Sequence, residues 1–111
     1  MTEETKKPGK IAITSMGNAA SSNVDEQFGR CKYFAIVVPE TKEVEFFENP
    51  ACNLDGGAGP KAAEFLIKNG VKIVMTGKVG DKAEIALKKG GIEVKSGLKN
   101  TETVSEVISR I

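Results

Sequence analysis

Read for its apolar and polar positions, the chain divides into short strands, helices and two long loops. Residues 1–9 are polar and charged and read as a loose tail. Residues 10–14 (KIAIT) are apolar and β-branched, and Gly17 and Asn18 follow soon after, which predicts a buried strand. Residues 15–29 form a polar connection longer than most, the kind of loop that carries function or motion. Residues 33–38 (YFAIVV) predict a second strand and residues 43–48 a third, in which Glu43 and Glu45 alternate with Val44 and Phe46. Pro39 presets the turn between them. A second loop, residues 49–59, is rich in Gly, Asn and Asp.

Pro60 then opens a helix, where its missing N–H is not needed. Ala62, Ala63, Leu66 and Ile67 make its inner face, and Asn69-Gly70 ends it. Residues 71–75 (VKIVM) predict a fourth strand, followed by the turn Thr76-Gly77-Lys78-Val79-Gly80. Asp81 and Glu84 have the spacing of a capping box, and the helix they open carries Ala83, Ala86 and Leu87 inward as far as Gly90-Gly91. Residues 92–95 predict a fifth strand. Residues 101–110 predict a last helix, with Val104, Val107 and Ile108 at helical spacing.

The short connections between the first three strands predict an antiparallel meander. The later strands alternate with helices and require parallel crossovers. The expected fold is therefore a three-layer α/β domain over residues 10–111. Its five-stranded mixed sheet is an antiparallel three-strand meander followed by α-β-α-β-α, which resembles the ribonuclease H-like topology. This arrangement predicts where the loops meet. The start of the second strand and the end of the third return to the sheet edge where the first strand finishes. Cys31 and Cys52 should therefore reach one edge, the edge at which open α/β sheets bind ligands.

Composition narrows the chemistry. Charge is balanced, with 16 basic and 15 acidic residues interleaved, so no basic footprint for nucleic acid is present. No apolar run is long enough to span a bilayer, and the start lacks a signal-peptide stretch, so a cytoplasmic protein without membrane attachment is expected. With no histidine, Ser-His-Asp and Cys-His catalysis and histidine-based zinc sites are excluded. In a cytoplasmic setting the two cysteines read as free thiols, ligands or buried small residues.

The loop Gly56-Gly57-Ala58-Gly59 leads into a helix, and Thr76-Gly77-Lys78 precedes another. Glycines let a backbone approach a ligand, and helix N-termini favour anions. With Arg30 beside Cys31, these features describe an anion-binding rim carrying two thiols. The competing readings are tight loop geometry for the glycines, packing for the cysteines and solvation for Arg30 and Lys78.

The string Asp25-Glu26-Gln27-Phe28-Gly29-Arg30-Cys31 is joined by Asn49-Pro50, Gly56-Gly57-Ala58-Gly59 and residues 71–80. In order and spacing, these motifs resemble the dinitrogenase iron–molybdenum cofactor biosynthesis family, which includes NifX-type proteins and the C-terminal domain of NifB. The resemblance covers residues 10–108. It implies a ribonuclease H-like fold and binding of an iron–sulfur or molybdenum–iron–sulfur cluster by a carrier, chaperone or storage protein, with nitrogen fixation as one context. Phe28, Gly29 and Arg30 match the family's Phe-Gly-Arg, and Gly57, Ala58 and Gly59 its Gly-Ala-Gly. Gln27 stands where histidine is common, so an imidazole ligand is absent there.

The expected function is thus a non-catalytic, monomeric carrier that binds a cluster transiently and exchanges it with donor and acceptor proteins. Its expected contacts are Phe28, Gly29, Arg30, Gly56, Gly57, Ala58, Gly59, Thr76, Gly77 and Lys78, with Cys31 and Cys52 as metal ligands. Two cysteines cannot enclose a cluster that needs four thiolates, which suits hand-over. The alternatives are a small-anion or nucleotide-binding module and a thiol redox switch. A magnesium-dependent nuclease is disfavoured because residues 10–14 carry no carboxylate.

Overall fold

A computed structural model describes residues 9–54 and 56–111. Most of the tail expected over residues 1–9 therefore lies outside the described residues. The elements are β1 (Lys10–Ser15), β2 (Tyr33–Val38), β3 (Glu43–Glu48), α1 (Ala58–Lys68), β4 (Val71–Met75), α2 (Asp81–Lys89), β5 (Glu93–Lys95) and α3 (Val104–Ile108). The sheet order is β3-β2-β1-β4-β5. β1 pairs antiparallel with β2 and β2 with β3, whereas β4 pairs parallel with β1 and with β5. The α/β fold is the one the pattern predicts.

Burial explains why the pattern was readable. β1 is central, and Ile11 to Ser15 are all buried, as expected where both faces are covered. α1 and α2 cover one face with Ala62, Ala63, Leu66, Ala83 and Leu87, over Ala12, Phe34, Ile36 and Val74 of the sheet. α3 covers the other, where Val104 and Val107 join Ile11, Ile13, Ala35 and Val37. β3 is an edge strand whose Glu43, Glu45 and Glu48 are exposed, a charged guard against edge-to-edge pairing.

Register carries the functional geometry. Ser15 faces Tyr33, and Tyr33 faces Glu48, so the end of β1, the start of β2 and the end of β3 share one sheet edge. Ile13 faces Met75, and Met75 faces Lys95, which brings the ends of β4 and β5 to the same side. The loop after β1 is pinned there by three isolated bridges, Ser15 with Val24, Asn23 with Thr103, and Gln27 with Lys78.

β1 and β5 differ by one residue each from the sequence reading, and the helix starts differ more. α1 begins at Ala58, two residues before Pro60, because Gly57 adopts a left-handed φ of 72° and turns the chain early. The Asp81–Glu84 capping box does not form: Gly80 is the N-cap, Asp81 already lies inside the helix, and no side chain caps it. A capping box does form at α3, where Thr103 accepts from the Glu106 amide and the Glu106 carboxylate accepts from the Thr103 amide. That helix is accordingly shorter than residues 101–110.

Candidate functional site

At the shared sheet edge, three segments meet around a groove of about 540 Å³: residues 27–30, residues 57–60 and residues 78–83. Phe28 anchors the first segment. Its ring is buried, 5.7 Å from Phe34, and its amide donates to the Lys78 carbonyl at 3.1 Å. The Lys78 amide donates in return to the Glu26 carbonyl at 2.6 Å. Gly29 then lies so close to α1 that a Cβ there would sit 2.9 Å from both Cα and N of Gly59. A Cβ on Gly59 would lie 2.7 Å from Cβ of Ala83. Glycine is thus required at 29 against the α1 backbone and at 59 against the Ala83 methyl, and that packing brings the first turns of both helices to one groove.

Electrostatics follows from this packing. Neither α1 nor α2 has a side-chain cap, so both first turns present amide N–H groups and the positive ends of their dipoles. Arg30, Lys78 and Lys82 line the same groove and are exposed; Asp81 is its one carboxylate among the described residues. The Arg30 guanidinium donates to the Leu54 carbonyl, which ties the 27–30 loop to the loop after β3. The groove thus gathers amide N–H groups and cations, the chemistry that suits an anion.

The cysteines do not enter it. The sheet edge brings both near Asn49, as the register requires: the Asn49 side-chain amide donates to the Cys31 carbonyl at 2.9 Å, and the Cys52 amide donates to the Asn49 carbonyl at 3.3 Å. Yet Cys31 is fully buried in the core on the α1–α2 face, and its thiol donates to the Phe28 carbonyl at 3.3 Å. Burial, and secondarily the Asp25 carboxylate, push this thiol well above the usual range, which opposes the thiolate a metal needs. Cys52 is half-buried and lines a separate hollow of about 340 Å³ with Lys32, Tyr33, Glu48, Asn49 and Asn53. The expected rim with two thiols is therefore corrected: one sulfur faces the core and the other a neighbouring hollow. Among the described residues, no group of three or more His, Cys, Asp or Glu is arranged to hold a metal ion.

Other expected contacts divide in the same way. Phe28, Gly29, Arg30, Gly57, Ala58, Gly59 and Lys78 line the groove. Thr76 does not: it is buried, and its hydroxyl is hydrogen-bonded to that of Thr14 at 2.8 Å. Gly77 is a packing glycine, since a Cβ there would meet the Glu26 backbone at 2.7 Å. Gly56 is exposed and outside the groove lining. The sequence reading named the helix start after Lys78 but not Lys82, which the first turn of α2 adds to the groove. The signal was present, because a helix start directly follows the Lys78 turn.

The family model described as dinitrogenase iron–molybdenum cofactor matches residues 9–111. An uncharacterized protein of Methanocaldococcus jannaschii is 34% identical over 102 residues, covering 89% of this chain and 81% of that protein. The apo form of the orange protein from Desulfovibrio gigas superimposes with a TM-score of 0.86 at 37% identity, covering 92% of this chain and 85% of that one. A Thermotoga protein described as a putative NifB protein of the DUF35 family gives a TM-score of 0.78 at 34% identity, with the same coverages of 92% and 85%.

Proposed function

Because this chain belongs to the dinitrogenase iron–molybdenum cofactor family, we propose that it is a non-catalytic carrier that takes an anionic metal–sulfur cluster into the groove between residues 27–30 and the first turns of α1 and α2. The observation that carries this reading is the convergence of two uncapped helix N-termini with Arg30, Lys78 and Lys82. A preassembled cluster brings its own bridging sulfides and most of its ligands. It presents a negative outer surface, which amides and cations recognise without a thiolate. Iron–sulfur proteins that keep a cluster ordinarily use four thiolates. A groove without a cysteine holds its cargo by electrostatics alone, and such cargo leaves without a metal–sulfur bond breaking. Hand-over between donor and acceptor proteins in the cytoplasm is the role this favours. Among the described residues, no helix is long and apolar enough to cross a membrane.

The test is an anaerobic titration of the protein with a water-soluble, thiolate-capped [4Fe–4S] cluster, followed by absorbance and by iron and sulfide retained after gel filtration. Binding is expected for wild type and for Cys31→Ala, and a loss of at least roughly tenfold in affinity for the double variant Lys78→Glu/Lys82→Glu, since charge-assisted contacts contribute about 1.5–3 kcal/mol each. Millimolar ATP or phosphate should leave the bound cluster in place; displacement would favour the small-anion reading instead. Equal binding by wild type and the charge-reversed variant would overturn the site.

A further inference from the structure

Asn49 is a buried polar side chain, 3% exposed, at the end of β3 and outside the groove lining. Its Nδ2 donates to the carbonyl of Gly29 at 3.1 Å and to that of Cys31 at 2.9 Å. These are the two carbonyls on either side of Arg30. Its Oδ1 accepts from the Ala51 amide at 2.9 Å, and its backbone N–H donates to the Lys32 carbonyl at 2.9 Å. The turn so formed continues through the Leu54 amide, which donates to the Ala51 carbonyl at 3.1 Å, and the Leu54 carbonyl accepts from the Arg30 guanidinium. One amide side chain thus clamps the Arg30 backbone from both sides. The same side chain shapes the loop that holds the Arg30 head.

We propose that Asn49 is a positioning residue for anion binding, fixing Arg30 at the groove through the paired carbonyls of Gly29 and Cys31. The inference rests on the carrier reading for its consequence, and on hydrogen-bond geometry alone for its cause. A carboxamide suits the task because one NH₂ group supplies two donors while its oxygen accepts a third bond. Each partner is a backbone group at a segment with no sheet partner, so removing the amide leaves the buried Cys31 carbonyl and the part-buried Gly29 carbonyl without it. An aspartate in its place keeps the acceptor for Ala51 but presents an oxygen to both carbonyls.

Two measurements separate this role from general stability. In ligand-free protein, the Arg30 Nε–Hε resonance should be distinct and slowly exchanging in wild type. It should be averaged in Asn49→Ala and Asn49→Asp. A persistent ordered signal in either folded variant overturns the proposal, and this readout stands even if no cluster binds. With the same [4Fe–4S] probe, Arg30→Ala should weaken binding roughly tenfold in wild type but less than about twofold in Asn49→Ala, whereas Lys78→Ala should have the same effect in both backgrounds. Equal effects of Arg30→Ala in the two backgrounds also overturn it, because a loss acting through stability would not single out one cation. If neither Asn49 variant folds, through-hydrogen-bond couplings from the Asn49 side-chain amide to the Gly29 and Cys31 carbonyl carbons decide in wild type. Their absence overturns the proposal.

Discussion

Cys31 marks the sharpest divide between identity and environment. A cysteine next to an arginine reads as an activated thiol, because a nearby cation favours the thiolate. In the fold, Arg30 points to the exposed groove and Cys31 to the core, so neighbours in the chain occupy different media. The buried thiol keeps its proton after the unfolded chain has lost its own. Its folded pKa lies above the unfolded value, so its contribution to stability is intact below the ordinary thiol range, about 8.5, and declines as pH rises beyond it. The slope is up to about 1.4 kcal/mol per pH unit. Urea unfolding across alkaline pH is expected to show this decline in wild type and a flatter profile in Cys31→Ala. Identical profiles would mean that the thiol is not held neutral by the fold.

Elements meet at this site by backbone contact, and glycine is what permits it. Gly29 rests on Gly59 of α1, and Gly59 rests on Ala83 of α2. The string Gly56-Gly57-Ala58-Gly59 looks uniform in the sequence, yet its members differ. Gly59 is a packing residue and Gly57 needs its positive φ, whereas a Cβ on Gly56 would meet nothing within 4 Å. Gly29→Ala and Gly59→Ala are each expected to destabilise by about 1–3 kcal/mol through overpacking. Gly56→Ala should stay within about 0.5 kcal/mol. Urea midpoints for the three variants check the ranking, and a Gly56→Ala loss as large as the others would contradict it. The helix ends teach a related lesson. Thr103 and Glu106 carry the spacing of a capping box, but it was hidden by an expected helix start near residue 101. Asp81 and Glu84 carry that spacing too and do not cap, because Gly80 sits one position earlier in extended backbone and takes the N-cap place.

At the scale of the whole molecule, balanced charge conceals a polarised surface. The net charge is +1, yet three cations and two helix N-termini gather at one groove that Asp81 alone lines with a carboxylate among the described residues. Binding through such a groove should weaken several-fold as salt rises from about 0.1 M to about 1 M, where the screening length falls from about 10 Å to about 3 Å. Cluster titrations at the two salt concentrations test this, and salt-independent affinity would point to covalent ligation. Much of the fold was legible in the chain because strand burial and helix amphipathicity repeat at short period. The runs at residues 33–38, 43–48 and 71–75 became strands with the expected bounds. Topology then followed from connection lengths, and with it the shared sheet edge that brings residues 31 and 52 near Asn49. By itself, then, the sequence determined the elements, their order and the edge where the loops meet, since these depend on local propensity and on which faces must be buried. Only the tertiary structure decided which way each side chain at that edge points. It turned Cys31 inward, set Gly29 against the backbone of Gly59 and Gly77 against that of Glu26, added Lys82 and made Asn49 the tie between two loops. Those outcomes depend on close packing between segments far apart in the chain, and no periodicity records them.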